Sequence, residues 1–390
     1  MTWLKRIFLV IIILIVFGTG FWLGGEAKIC PFCAPKEVDF SIMWEAWHKL
    51  KESYVNSDEL DEQEMVWGAT EGMIKSVGDP YTVFFNPEET KKFLEDVSGK
   101  FEGVGMEIGI KNGQLQVITP LEGTPAEKAG LRPGDKIIKI DDVLTLNITI
   151  EEAVSLIRGA KGSEVVLIIM RDGWKNSEEF KIKRDVIKVP SLKWEIKENN
   201  TAYIKIYHFS ENLDRDFRTA AVEILKTSAD RIVLDLRSNP GGYLERAQDV
   251  AGWFLEKSQV VVIEDFSEKE EQIVYKAKGG SEFLNYPIVI LINEGTASAS
   301  EILASALRDN RGIKLIGKTS YGKGSVQKLE HLQDGSSLKV TIAKWLTPAG
   351  EHITDKGLIP DIEVDFTEED YSQDRDPQLN KALEIIEKIN

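Results

Sequence analysis

The distribution of apolar residues changes several times along the chain, and each change predicts a different kind of structure. An uninterrupted apolar run covers residues 7–23, and helical spacing of apolar residues follows from about residue 38 to residue 77. Short strand-like segments dominate residues 100–184, where Asn112-Gly113 is a strong hairpin signal. Beyond residue 190, apolar strand-like segments alternate with helical ones, which predicts an α/β core. The pattern therefore predicts several successive domains.

The apolar run at residues 7–23 predicts a membrane-spanning helix at the short end of the usual length range. Lys5 and Arg6 precede it, which orients its N-terminus toward the cytoplasm. No clear cleavage site follows, so we expect a signal anchor over residues 1–25 with the body outside the cytoplasm; a cleaved signal peptide is the alternative. The linker over residues 26–36 holds Cys30 and Cys33, for which we expect a disulfide or an intermolecular link.

Residues 37–97 are predicted to form a helical region. Phe40, Trp44 and Trp47 recur at helical spacing, and Asp61 with Glu64 forms a capping-box pattern that opens a second helix. The pattern predicts a helical hairpin whose aromatic residues lie in a core rather than in a ligand site.

Composition narrows the classes of function. The chain has 48 basic and 64 acidic residues, a net charge of −16, which makes nucleic acid and anionic lipid poor partners. Four histidines and two cysteines leave little for a metal site, so no metal and no cofactor are predicted. A hydrolase or a binding protein that works without a metal is favoured.

Two motifs in the β-rich region resemble those of a PDZ domain, here residues 98–186. The first is the glycine loop Gly103-Val104-Gly105-Met106, whose backbone N–H groups suit a terminal carboxylate, and the second covers residues 123–135. The resemblance implies binding of peptide C-termini. Arg158 ends a predicted helix beside the expected groove, and we hypothesise that it couples peptide binding to activity; a solvated charge at the helix end is the alternative.

Three segments of the α/β region carry the candidate chemistry. Residues 237–242 follow one apolar strand, and residues 293–301 lead from another strand into a helix. Ser298 at that helix start suits attack on a carbonyl, since free N–H groups beside it favour an oxyanion; a helix cap by a hydroxyl of this stretch is the alternative. Lys323, between two glycines, is a candidate base if burial or a positive neighbour lowers its pKa, and otherwise a solvated loop lysine.

Two other chemistries fit less well. Residues 317–323 approach a phosphate-binding loop, but Gly324 stands where Ser or Thr must hold magnesium, and a hairpin follows rather than a helix. A serine–histidine arrangement would need His208, in a predicted strand, or His331 or His352, in turn-rich stretches without an acidic pattern. We expect these histidines to be surface or structural residues.

Together, the three segments and the PDZ motifs resemble the C-terminal processing peptidases, serine proteases of family S41 with a Ser–Lys dyad. Further motifs at residues 78–82, 346–350 and 357–361 extend the resemblance over residues 37–364. Thr296 and Tyr321 replace a frequent serine and a frequent phenylalanine, and neither replacement touches the dyad.

The resemblance implies a role for each matching position. Ser298 corresponds to the nucleophile, Lys323 to the general base and Gln327 to the residue that orients the lysine. The remaining site positions are an oxyanion hole and a supporting glutamate: the backbone N–H of Ala299, one from Gly241 or Gly242, and Glu301.

The sequence thus predicts a multidomain α+β chain with an N-terminal membrane helix, a helical segment, a PDZ β-sandwich-like domain and an α/β protease core. The core covers residues 187–366, and a helical tail covers residues 367–390. The predicted activity is that of a serine endopeptidase that cleaves extracytoplasmic proteins near their C-termini, with the PDZ domain binding apolar free C-termini and gating activity. A non-catalytic PDZ scaffold is the alternative, and intact Ser298, Lys323 and Gln327 argue against it. A homodimer is implied by the resemblance alone.

Overall fold

The computed structural model describes Trp3 and residues 38–389 except positions 112, 122, 147, 172, 267–269, 355, 368, 371–372 and 374. The chain divides into two compact units, residues 1–69 and 70–390. Apart from Trp3, the predicted anchor and linker with their cysteine pair lie outside the described residues. Within the described part, no helix has the length and apolar character needed to cross a bilayer. The signal anchor stays a prediction.

The first unit contains α1 (Ser41–Ser53), a short 3-10 helix (Ser57–Glu59) and the start of α2 (Glu62–Lys75). Asp61 Oδ1 accepts the backbone N–H groups of Gln63 at 2.8 Å and Glu64 at 3.1 Å, which confirms the predicted helix start. The prediction that the aromatic residues of α1 lie in a core is wrong, because no residue of α1 is buried and Trp44 is 53% exposed. Helical spacing marks an apolar face but does not determine what covers it.

Two elements early in the second unit were not individually predicted, β1 (Val83–Phe85) and α3 (Pro87–Ser98). A reciprocal cap begins α3: Asn86 Oδ1 accepts the N–H of Glu89 at 2.9 Å, and Glu89 Oε2 accepts the N–H of Asn86 at 3.0 Å. Pro87 occupies the first helical position, where its missing N–H costs nothing. The side chains of α3 later form a wall of the candidate site.

A β-rich module with two helices follows, and its N- and C-terminal strands pair with each other as an antiparallel ribbon, β2 with β9. The remaining strands form one sheet in the order β3-β4-β5-β7-β8, with β6 paired to β5. At the start of α5, Thr149 Oγ1 accepts the N–H of Glu152 at 3.1 Å and Glu152 Oε2 accepts the N–H of Thr149 at 2.9 Å, so this predicted capping box is confirmed. The elements are β2 (Lys100–Gly103), β3 (Met106–Lys111), β4 (Gln114–Pro120), α4 (Pro125–Lys128), β5 (Lys136–Ile140), β6 (Val143–Leu144), α5 (Ile150–Ile157), β7 (Glu164–Met170), β8 (Glu178–Lys183) and β9 (Asp185–Lys188).

The α/β core is built on a six-stranded sheet in the order β10-β11-β12-β15-β16-β19. All neighbours are parallel except β10, which pairs antiparallel with β11 at one edge. The strands and helices of this layer are β10 (Leu192–Lys197), β11 (Thr201–Ile206), α6 (Leu213–Ile224), β12 (Arg231–Asp235), α7 (Leu244–Phe254), β15 (Ile288–Ile292), α8 (Ala299–Arg311), β16 (Lys314–Gly317), β19 (Ile362–Glu363) and α9 (Pro377–Ile386).

Helices cover both faces of this sheet. Ile290 packs into the cluster that includes residues of α6, α7 and α8, whereas its neighbours Val289 and Leu291 pack against Ala382 and Ile386 of α9. A central strand covered on both sides is apolar at every position, which accounts for the fully buried run of β15.

A second, antiparallel sheet stands beside the first in the order β1-β18-β13-β14, with β17 also paired to β18. The predicted hairpin over residues 325–343 is confirmed by the pairing of β17 with β18. The alternation of strands and helices along the chain predicted one α/β core. It did not indicate that β13 belongs to this second sheet. The strands are β13 (Val260–Asp265), β14 (Ile273–Lys276), β17 (Ser325–His331) and β18 (Ser337–Leu346).

Candidate active site

Ser298 lies at the sharp turn between β15 and α8. Its backbone has φ +56° and ψ −118°, a conformation that a non-glycine residue rarely adopts. Such strained positions cost about 1–3 kcal/mol and persist only where the surrounding structure enforces them. The strand–turn–helix geometry presents a serine beside helix N–H groups that lack intrahelical acceptors.

The hydroxyls that flank Ser298 are engaged in joining two loops. Thr296 Oγ1 accepts the N–H of Asn293 at 3.0 Å and donates to Leu236 O at 2.8 Å. Ser300 Oγ donates to Asn239 O at 3.0 Å. These two side chains therefore tie the turn after β15 to the loop after β12, a structural role that fits the replacement of serine by Thr296.

The loop after β12 approaches Ser298 through Gly241. A Cβ at Gly241 would lie 2.8 Å from Ser298 Cβ and 2.9 Å from Ala299 N, so only glycine allows this approach. The N–H of Gly241 already donates to Asn239 Oδ1 at 2.9 Å. Among the described residues, nothing accepts from the N–H of Gly242, which lies in an isolated bridge with Phe209.

A buried ionic network anchors the base of the same loop. Arg237 donates to Asp235 Oδ2 at 2.7 Å and to Asp376 Oδ2 at 2.8 Å, and its Nη1 donates to Gln378 Oε1 at 3.0 Å. Burial works against the charge, but the hydrogen bonds to Asp235 and Asp376 raise the pKa of Arg237 above its ordinary value. The network joins the end of β12 to the start of α9.

Lys323 lies in a turn between β16 and β17 whose flanking glycines are both required by the geometry. Gly322 has φ +86°, and a Cβ at Gly324 would lie 2.3 Å from the backbone nitrogen of Thr354. The turn therefore packs closely against the residue 354 segment, and Lys323 itself is partly buried.

Glu301, fully buried in the first turn of α8, connects this turn to Ser298. Its Oε2 accepts the backbone N–H of Ser298 at 2.8 Å and that of Lys323 at 3.0 Å. Its Oε1 accepts hydrogen bonds from the Ser320 hydroxyl at 2.5 Å and from the backbone N–H of Gly322 at 2.7 Å. Burial raises the pKa of the Glu301 carboxyl, and these four hydrogen bonds act in the opposite direction.

Ser298, Lys323, Gln327, Gly241 and Gly242 all line one cavity of about 620 Å³ between the loops and the antiparallel sheet. The sequence predicted that these residues would meet, and the structure brings them to one place. Ala299 and Glu301 lie directly behind Ser298 on α8.

Two effects lower the pKa of Lys323. Burial is the larger one, and the positive charge of Lys339 is the second, while Glu301 acts in the opposite direction. Lys339 lines the same cavity, with its ammonium 5.3 Å from the ring centres of both Phe85 and Phe93. Lys323 Nζ lies 5.6 Å from the ring centre of Tyr81. Lys323 is therefore neutral over a wider pH range than an ordinary lysine.

Gln327 follows a bulge in the pairing of β17 with β18. Its side-chain nitrogen donates to Ser325 O at 3.0 Å and to Ser325 Oγ at 2.7 Å. The predicted role of Gln327 in orienting Lys323 stays a prediction.

His208 was expected to be a surface or structural residue, and the structure places it in the wall of the cavity. Its Nε2 is buried without a hydrogen-bond partner. Burial lowers the pKa of His208, and Asp216 acts in the opposite direction. A Cβ at Gly99, just before β2, would lie 2.4 Å from this nitrogen.

Several residues of the cavity wall were missed by sequence reasoning. Phe93, Leu94 and Val97 come from α3, and further lining residues are Glu264, Tyr275, Lys339 and Trp345. The Asn86-Pro87 start signal with Glu89 was the sequence cue for α3. The residues on β13, β14 and β18 gave no such cue, because alternation along a strand marks faces but not which face lines a site.

A second, smaller recess of about 80 Å³ is lined by the residues that the sequence predicts for the PDZ groove. Gly105 has φ +78°, and a Cβ there would lie 2.5 Å from Thr124, which explains the glycine. Arg158 caps the C-terminus of α5, and its guanidinium carbon lies 4.5 Å from the ring centre of Phe101. The groove is lined by Phe101, Gly103, Val104, Gly105, Met106, Ile108, Val154, Ile157 and Arg158.

Family models match three parts of the chain. Peptidase family S41 matches residues 200–364, a PDZ domain matches residues 116–171, and the N-terminal domain of the activating protease CtpB matches residues 34–90.

Similar proteins cover most of the chain. The carboxy-terminal processing protease CtpA of Bacillus subtilis (strain 168) is 36% identical over 95% of this chain and 78% of its own length. CtpB of the same organism is 34% identical over 87% of this chain and 70% of its own length. Among solved structures, the photosystem II D1 C-terminal processing protease matches with a TM-score of 0.51 and 29% identity, over 84% of this chain and 89% of that one.

The fold and the matches define a protease that carries a PDZ domain. The chain belongs to peptidase family S41, among the carboxy-terminal processing proteases.

Proposed function

We propose that the chain is a serine endopeptidase that cleaves polypeptides near their C-termini, with Ser298 as nucleophile and Lys323 as general base. One observation carries the proposal. Ser298 and Lys323 come from separate loops, line one cavity, and donate their backbone N–H groups to the same oxygen of Glu301.

The environment of Lys323 suits a base. Its pKa is lowered by burial and by Lys339, so a neutral amine is available to take the proton from Ser298 Oγ. Oγ then attacks the scissile carbonyl carbon, and the protonated amine returns the proton to the departing nitrogen. Water, activated by the same amine, hydrolyses the acyl-enzyme.

Two backbone N–H groups are available for the oxyanion. Ala299 is the first residue of α8, where its N–H has no intrahelical acceptor. Gly241 donates to Asn239 Oδ1, so we assign the second donor to Gly242, whose N–H has no acceptor among the described residues. Donors fixed in this way stabilise the transition state without reorganisation.

His208 lines the same cavity and is the other candidate base. A serine–histidine pair needs a ring nitrogen that accepts from the serine hydroxyl. Nε2 of His208 has no hydrogen-bond partner and faces Gly99, which favours Lys323.

The PDZ groove would bind the substrate tail. Its glycine loop and apolar lining suit a terminal carboxylate and the apolar side chains of the last residues. Arg158, in the groove wall against Phe101, would transmit peptide binding to the active site.

The apolar run at residues 7–23, preceded by Lys5 and Arg6, supports a membrane-anchored location with the body outside the cytoplasm.

The test uses the purified full chain and an unstructured protein with an apolar C-terminus, either free or amidated. Cleavage of the free form only, absent in Ser298→Ala, is the expected result. Cleavage that survives amidation would remove the tail-sensing role but keep the protease. No cleavage of either form, with tail binding still measurable, would favour the non-catalytic scaffold.

A further inference from the structure

One wall of the catalytic cavity carries an acidic group that the proposed chemistry does not use. Glu264, on β13, is only 5% exposed and lines the cavity together with Ser298 and Lys323. Its partner is Tyr275 on β14, whose hydroxyl donates to Glu264 Oε2 at 2.8 Å. Tyr275 lines the same cavity.

Lys323 and Lys339 line the same cavity, but within the described part of the chain no basic side chain forms an ion pair with Glu264 or lowers its pKa. Burial raises the pKa of Glu264; the Tyr275 hydrogen bond lowers it, while the nearby Glu245 and Glu270 raise it further. The same burial and the carboxylate raise the pKa of Tyr275 to about 12. A nearly buried carboxylate without a counter-ion is costly, and a bound cation removes that cost.

Aromatic side chains lie next to Glu264 in the cavity wall. Trp345 faces Glu264 across the strand pair β13–β18, and the rings of Tyr275 and Trp345 meet edge to face at 6.5 Å. Aromatic rings pack against the aliphatic stem of lysine or arginine and stabilise its cationic end, while a carboxylate beside them accepts its N–H donors. Glu245 adds a second negative charge to the cavity lining.

We propose that Glu264 and Tyr275 form a side-chain subsite that binds a lysine or arginine of the substrate close to the scissile bond. The inference rests on the proposed protease activity, because it names the substrate class that the same cavity selects. A neutral side chain there would leave the carboxylate desolvated without a counter-ion, and an acidic side chain would be repelled.

The experiment has two readouts, so that the subsite and the protease activity are judged separately. Fluorogenic peptides with a free apolar C-terminus carry Lys, Arg, Gln, norleucine or Glu at one position at a time around the cleaved bond. The first readout is kcat/KM for the full chain and for Glu264→Gln. The second is binding of the labelled peptides to Ser298→Ala, with and without Glu264→Gln.

We expect the wild type to prefer Lys or Arg over Gln by about 10-fold at one position, the range for a single charged contact. Glu264→Gln keeps the shape and the hydrogen bond from Tyr275, so it should lose this preference and cleave the Lys, Arg and Gln peptides at similar rates. Glu330→Gln, an exposed position on β17, should change nothing.

Two results would overturn the subsite: equal rates for Lys and Gln peptides at every position, or a preference that persists in Glu264→Gln. If no peptide is cleaved, the protease proposal fails, and the binding readout still decides whether the basic subsite exists. Tighter binding of basic peptides that Glu264→Gln abolishes would uphold the subsite, and equal binding would exclude it.

Discussion

Ser298 and Lys323 donate their backbone N–H groups to the same atom, Oε2 of Glu301, at 2.8 Å and 3.0 Å. The turn that presents the serine and the turn that presents the lysine are therefore fixed to one buried carboxylate. Because Glu301 is part of α8, the relative position of the two turns is set by a rigid helix rather than by flexible loops.

Glu301→Gln tests this arrangement. An amide has only one acceptor oxygen, so two of the four donors now bonded to Glu301 face an NH₂ group. Each buried donor left unsatisfied costs about 1–3 kcal/mol, so we expect a clear fall in Tm and a loss of activity of about 100-fold or more. Glu294→Gln, exposed in the turn before Ser298, is the control and should resemble the wild type in calorimetry and in peptide hydrolysis.

Gly241→Ala should remove activity through steric contact beside the nucleophile. The new methyl group would lie 2.7 Å from Ala297 O and 2.8 Å from Ser298 Cβ, which displaces one of the two loops. Gly350→Ala is the control for backbone strain alone. Gly350 has φ +82°, and a methyl group there would meet no heavy atom within 4 Å, so this variant has the strain without the steric contact. Equal activities of the two variants would show that the contact does not matter.

Much of the fold followed from the sequence because local signals marked it. The caps at Asp61 and Thr149 lie where the pattern predicted them, and the apolar segment before residue 293 forms a strand, β15, as predicted. The exposed aromatic face of α1 was wrongly assigned to a core, since periodicity says nothing about what covers a face.

The pH dependence of activity should depend on Lys339. Burial and the charge of Lys339 lower the pKa of Lys323, so activity should rise as Lys323 loses its proton, at lower pH than for an ordinary lysine. Lys339→Met removes the second effect and keeps the apolar contacts, so the pKa of Lys323 rises and the rising limb of kcat/KM moves to higher pH. Lys328→Met, exposed on β17, should leave the profile in place. A profile of Lys339→Met that coincides with the wild type would contradict this account.

Arg158→Ala tests the link between the PDZ groove and the active site. Loss of the guanidinium from the face of Phe101 should abolish the stimulation of peptide hydrolysis by an added apolar tail peptide. Arg132→Ala, exposed elsewhere in the PDZ domain, is the matched control and should keep it. Tail stimulation that is unchanged in Arg158→Ala would assign this residue to the groove wall alone.

The candidate dyad was predictable from motifs, but its surroundings were not. Ser298 and Lys323 lie in recognisable loops, whereas Lys339 and Glu264 reach the cavity from strands of the second sheet. Their positions depend on how that sheet packs beside the first, which is a tertiary contact without a local sequence signal. His208, just after β11, lies in the cavity wall close to Gly99, and this contact between distant segments also has no local sequence signal.

The most direct test of the Ser–Lys dyad is kcat/KM for the full chain on one cleaved peptide, as wild type, Ser298→Ala, Lys323→Ala and Lys328→Ala. We expect Ser298→Ala and Lys323→Ala each to lose about 10⁴-fold or more in kcat/KM with unchanged Tm, and Lys328→Ala to be unaffected. A Lys323→Ala variant that keeps its activity within about 10-fold of the wild type would contradict Lys323 as the general base.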